Sequence, residues 1–163
     1  MRVDKKSLLL SVAICLLPIL IGVYYYDVLP EQIAVHFNVN GDPDNFVSKT
    51  RAIIDLPIFF AIVQVIISLV VDFDKTPKKG ALIAKGIVPL ISVLVQGGIV
   101  AYALDNNFNV PQLTVFVIGI VLIILGNYLP KKEFWGKYNF NLFGLEKGVN
   151  EQKVVRAYAL YMT

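Results

Sequence analysis

Apolar residues run almost unbroken through four long blocks of this chain, at 8–26, 53–71, 81–104 and 110–129, and polar residues gather between them. A helix rises about 1.5 Å per residue, so roughly 20 residues cross the ~30 Å hydrocarbon core of a bilayer. No polar stripe recurs every three or four residues within the blocks, as it would on the solvent face of a soluble bundle helix. The pattern predicts four membrane spans. The first block outruns a signal-peptide core and ends in Tyr24-Tyr25-Tyr26 instead of a small-residue cleavage site, so it reads as a retained span with an interfacial aromatic cluster.

The period changes between the first two blocks. In IAVHFNV, Ile33, Val35, Phe37 and Val39 alternate with Ala34, His36 and Asn38, the rhythm of a half-buried strand. Asn40-Gly41 and then Asp42-Pro43-Asp44 supply turn chemistry. The loop at 27–50 is therefore expected to be ordered, an extended segment lying on the outer helix ends. Its apolar side would face inward, with His36, Asn38 and Asn40 facing outward or toward a cleft. A solvated connector without fixed shape is the alternative.

Composition agrees with a membrane protein: 56% of the 163 residues are hydrophobic and 17% charged, against about 25% charged in ordinary soluble domains. The charges also set a direction. Arg2, Lys5 and Lys6 lie before the first span, Lys75, Lys78 and Lys79 between the second and third, and six more basic residues after the fourth. The 105–112 link has no Lys or Arg. By the positive-inside rule both termini should be cytoplasmic. The fold expected is an all-α four-transmembrane-helix bundle, N-in and C-in, with a membrane domain over 1–132 and an amphipathic interfacial tail over 133–163. In that tail Phe134, Trp135, Tyr138, Phe140 and Phe143 suit a bilayer surface, and 146–162 suits a short helix that lies on the bilayer or docks a partner. The net charge of +3 follows from topology, and nothing suggests direct nucleic-acid contact.

A few polar residues fall inside the spans. Gln64, Ser68, Ser92, Gln96, Thr114 and Asn127 suit hydrogen bonds between helices. Gly97, Gly98, Gly119 and Gly126 suit close helix approach, and Pro18, Pro57 and Pro89 each free a backbone carbonyl. Lys85 is near enough to the cytoplasmic end of its span to snorkel. Asp55 has two readings: the N-cap of the second helix, with Pro57 in its first turn, or an intramembrane acid if that helix starts near Ser48.

Enzyme signatures are absent: the chain has no HExxH, GxSxG, P-loop or CxxC pair. Cys15 is the only cysteine, so no internal disulfide forms. His36, Asp42 and Asp44 lack the glutamate-terminated spacing of a calcium loop, and neither metal nor cofactor is expected. The simpler roles are Asp42 and Asp44 as turn-stabilising residues and His36 bonded to backbone or to one of these acids.

LPEQIAVHFNVNGDPDNFVSK (29–49) resembles the loop signature of a bacterial membrane domain that forms the N-terminal part of SdpI-type immunity proteins. The matching positions are Leu29, Pro30, Ile33, His36, Phe37, Gly41, Asp44 and Lys49. GNYLPK (126–131) resembles a second, shorter motif at the end of a later span of that family. After Lys132 the family's pattern and its last two spans are not recognisable. The resemblance implies a multi-pass protein of the bacterial cell membrane that protects its cell from a secreted, bacteriocin-like membrane-active peptide toxin. In such a protein Pro30, His36, Phe37, Asn38, Asn40, Gly41, Asp42 and Asp44 would form the toxin-binding surface, with Asp55, Gln64, Gln96 and Asn127 as the intramembrane polar set. Two alternatives accompany it. One is a toxin sensor that relays to a cytoplasmic transcriptional repressor; the other is a small transporter or channel.

Overall fold

The computed structural model describes residues 3–38, 40–73, 78–105, 107–128 and Leu160. The expected interfacial tail, apart from a helical and exposed Leu160, lies outside the described residues, as do Val39 and the end of the second motif. Four helices are long and apolar enough to cross a membrane: α1 (Lys5–Tyr24), α2 (Lys49–Phe73), α3 (Lys78–Leu104) and α4 (Val110–Tyr128). Between α1 and α2 the chain forms two antiparallel strands, β1 (Gln32–Phe37) and β2 (Pro43–Ser48).

Helices α1, α2 and α3 each pack on the other two, whereas α4 packs mainly on α3. Burial says the same, with 39% of the α3 span buried against 11% of the α4 span. The bundle is thus a three-helix core with a fourth helix leaning on one side. Close approach of α1 and α2 occurs at Gly22, where an added Cβ would lie 2.6 Å from Ile53 Cγ2. Gly98 serves α3 and α4 similarly, where an added Cβ would clash with Leu113 Cδ2. Gly97 and Gly119, expected to do the same, have open space on that side.

The seam of the three-helix core is polar. Gln64, Ser68, Ser92 and Gln96 are fully buried. Ser92 Oγ donates to Cys15 O of α1 at 2.9 Å, and Gln96 Nε2 donates to Ala52 O of α2 at 2.9 Å. Gln64 Nε2 donates to Ser68 Oγ and to Lys85 O at 2.9 Å. The last bond has a specific cause. Pro89 has no N–H to give the carbonyl four residues before it, so Lys85 O is left free and Gln64 of the neighbouring helix satisfies it. Thr114 instead bonds its own helix at Val110 O, and Asn127 is exposed in the last turn of α4.

The structure decides one open reading and corrects two expectations. First, α2 begins at Lys49, because β2 runs straight into it without a breaker, and Pro57 is interior and buried. Of the two readings of Asp55, the one with a helix start near Ser48 therefore holds, and Asp55 is not the N-cap. It is exposed in the second turn and accepts from Arg51 Nε, four residues earlier, at 3.0 Å. Second, Lys85 does not snorkel. It is 4% exposed and its ammonium lies 2.7 Å from Asp72 Oδ1. Asp72 Oδ2 also accepts from the backbone N–H of Asp4, whose own carboxylate caps α1 through Ser7 N–H. One carboxylate thus joins the start of α1, the end of α2 and the first turns of α3. Third, the 27–50 segment is a hairpin of two strands, where the alternation marked only the first.

Candidate functional site

The hairpin is anchored at its base and at its tip. At the base, Lys49 donates to Glu31 twice, from its backbone N–H to the carbonyl at 3.0 Å and from Nζ to Oε1 at 2.9 Å. The same ammonium lies 4.6 Å above the Tyr26 ring, whose hydroxyl bonds Thr50 Oγ1 at 2.8 Å. Leu29, Ile33, Ala52, Ile53, Ile99 and Val100 form a buried cluster that seats the hairpin on α2 and α3. Ala34 is buried too, so the strict in–out alternation expected of β1 fails there. Farther along, the Phe37 ring meets Tyr102 of α3 edge to face, with centroids 4.9 Å apart.

Two irregularities in the ladder explain the placement of the polar residues. Ala34 pairs with Phe46, His36 with Asn45, and Phe37 with Pro43. Val35 is thus the extra residue on β1 and Asp44 the extra residue on β2. Bulges re-aim side chains, and here Asp44 Oδ1 stands 2.5 Å from His36 Nδ1. At the tip Asn38, rather than Asp42 or Asp44, organises the turn: its Oδ1 accepts from the N–H groups of Asn40 and Asp42 at 2.9 Å each. Gly41 has φ +88°, and an added Cβ would lie 3.0 Å from Pro111 Cγ. Only glycine meets both demands at low cost. The tip therefore rests against the first turn of α4, which Asn109 caps by accepting from Gln112 N–H.

Between β1, α3 and α4 this docking leaves a cleft of about 430 Å³. Val35, Val95, Ile99, Leu113 and Val117 are among its apolar walls, and His36, Asn38 and Thr114 supply its polar edge. Of the residues expected at the site, His36, Phe37 and Asn38 line this cleft. Asp44 and Asp42 stand behind His36 and Asn38, the latter through a bond of 3.4 Å from Asn38 Nδ2. Gly41 and Asn40 form the tip, and Pro30 is an exposed residue before β1. Asp55, Gln64, Gln96 and Asn127 do not join the cleft. The walls from α3 and α4 had no mark in the sequence, since Val95, Ile99 and Val117 look like any residue of an apolar span.

The charge at this end is one-sided. Asp27, Glu31, Asp42, Asp44, Asp55 and Asp105 lie here against Lys49 and Arg51, and both bases are already paired. Among the described residues no three His, Cys, Asp or Glu side chains converge as a metal site requires.

A family model described as a domain of unknown function (DUF1648) matches residues 13–61, from the middle of α1 through the hairpin into α2. This is compatible with the SdpI-type resemblance. Neither a curated protein nor a solved structure matches the chain.

Proposed function

We propose that this is an integral membrane immunity protein of the bacterial cell membrane. It protects its cell from a secreted membrane-active peptide by binding that peptide at the hairpin end of the bundle. The observation that carries the reading is the hairpin itself, anchored over the helix ends at its base and tip and leaving a cleft whose polar edge includes His36 and Asn38. The excess of basic residues at the opposite end supports an N-in, C-in orientation with the hairpin outside. Acids unmatched by free bases at the outer end would draw a cationic peptide, with a reach of about 8–10 Å at physiological salt.

The transporter reading has less support, because Gln64, Ser92 and Gln96 donate to backbone carbonyls of neighbouring helices. For the sensor reading, the segment that would meet a repressor falls in 133–163, which apart from Leu160 lies outside the described residues.

The test compares survival and membrane potential of toxin-sensitive bacteria challenged with a panel of secreted peptide toxins. Cells would carry the wild-type protein, a His36→Ala/Asp44→Ala variant, or neither. Protection by the wild type, lost in a variant present at equal level in the membrane, is the expected result. An absence of protection against every toxin would refute immunity, and protection retained by the variant would move the contact away from this pair.

A further inference from the structure

We propose that the cleft between β1, α3 and α4 receives one bulky apolar side chain flanked by cationic groups, as a cationic amphipathic peptide presents at a membrane surface. The proposal rests on the binding reading above and names the part of the ligand that enters.

Size, lining and charge converge on this chemistry. At about 430 Å³ the cleft lies near the lower end of ligand pockets, roughly 300–1,000 Å³, so it holds one or two large side chains and not a whole peptide. Val95 and Ile99 of α3, Val35 of β1 and Val117 of α4 give it apolar walls. Its polar edge is less neutral than the two residue types suggest. His36 is held by Asp44 and Asn38 by Asp42, and both acids are exposed. A carboxylate therefore partners each of the two hairpin polar groups that face the cleft, His36 and Asn38, while Lys49 and Arg51 are engaged elsewhere.

This arrangement favours ammonium or guanidinium groups beside the inserted side chain. It disfavours a phospholipid, whose phosphate would face two carboxylates. The mouth also has a definite depth. Thr114 and Val115, the latter 71% exposed, belong to the second turn of α4. The cleft thus opens on the flank of the bundle one turn below the helix end, where a peptide lying in the interface carries its apolar side chains.

The test uses the full-length protein in phosphatidylcholine nanodiscs and the acetylated, amidated tripeptide Lys-Bpa-Lys, in which Bpa is photoreactive benzoylphenylalanine. The anionic control is Glu-Bpa-Glu. Irradiation followed by peptide mapping should place adducts on Val95, Ile99 and residues 110–117, with little from the control. Asp42→Asn/Asp44→Asn should lower labelling roughly 3- to 10-fold, because each exposed charge contact contributes only modestly. Thr114→Trp should abolish it by filling the mouth; Thr114 is exposed and bonds only within its own helix turn, so the bundle is undisturbed.

Equal labelling by the anionic control, or adducts spread over lipid-facing residues such as Leu122 and Ile123 and insensitive to Thr114→Trp, would overturn the proposal. So would capture of phospholipid by the cleft in preference to the peptide. The two readings separate cleanly. Cells without protection but with cleft labelling would sink immunity alone, and protected cells without cleft labelling would sink the cleft alone.

Discussion

Asp72→Asn and Lys85→Met, made singly and together, test whether the end of the bundle opposite the hairpin is held by a buried ion pair. Lys85 is 4% exposed and the Asp72 side chain 11%, with 2.7 Å between the charged atoms. Removing one member leaves the other charge buried without its counter-ion, which costs about 3–5 kcal/mol. Removing both leaves neither charge, and such replacements are often close to neutral. Asparagine at position 72 also keeps an oxygen for the Asp4 N–H. The expected pattern is therefore two costly single changes and a double change far below their sum, so that a near-neutral double change gives a coupling of about 6 kcal/mol or more.

Cys15 supplies the readout. It is the only cysteine and is fully buried in the three-helix core, so a thiol-reactive dye modifies it only when the core opens. When closing is fast relative to modification, the labelling rate follows the open population. A loss of 3 kcal/mol then raises the rate roughly 150-fold. Single changes that raise it less than about 5-fold, or a double change whose effect equals the product of the singles, would show that Asp72 and Lys85 are not coupled.

Three further outcomes are expected. Gln64→Leu should cost about 1–3 kcal/mol by stranding Lys85 O, and Pro89→Ala should relieve much of that loss by restoring an N–H within α3; the same Cys15 assay reads both, and equal costs with and without Pro89 would disprove the pairing. Gly22→Ala should lower the melting temperature through its clash with Ile53, a cost of about 1–3 kcal/mol that Ile53→Ala reduces; an unchanged melting temperature counts against this α1–α2 crossing. In intact cells an impermeant maleimide should label Asn40→Cys and leave Lys6→Cys untouched, with buried Cys15 silent in both; the reverse pattern would invert the proposed topology.

The spans were legible because bilayer thickness imposes a length that an apolar run must meet. The start of α2 was harder, since Ser48 to Arg51 contain no breaker and Asp55-Leu56-Pro57 imitates a capped start. Strand β2 was hidden for another reason. Pro43, Asp44 and Asn45 are poor strand formers, and the segment is extended because β1 offers a partner and two bulges absorb the misfit. The pairing of His36 with an acid could be expected from spacing across a turn. The Lys85–Asp72 pair could not, because Asp72 looks like part of a polar link and meets Lys85 only once α2 and α3 pack. Likewise the cleft depends on where the hairpin tip lands, which Gly41 and Pro111 decide in three dimensions.

The distribution of polarity inside the bundle bears on where recognition can occur. Ser11, Gln64, Ser68, Lys85, Ser92 and Gln96 are buried, while Leu9, Leu20, Ile62, Ile66 and Leu82 are largely exposed. In lipid this inversion is favourable, since outward leucine meets hydrocarbon and inward amides and hydroxyls find partners on neighbouring helices. Gln64, Lys85, Ser92 and Gln96 donate to protein acceptors, although Gln64 Oε1 and Gln96 Oε1 are buried without a protein partner among the described residues. Two isolated acceptors at the seam do not make a continuous path, so the interior is better suited to fixing α1, α2 and α3 against one another than to passing a solute. A core of this kind gives the hairpin a stable floor, and it places the adaptable chemistry of the molecule at the hairpin end. There a carboxylate-backed polar edge meets an apolar cleft, the combination that an amphipathic cation can satisfy on both sides.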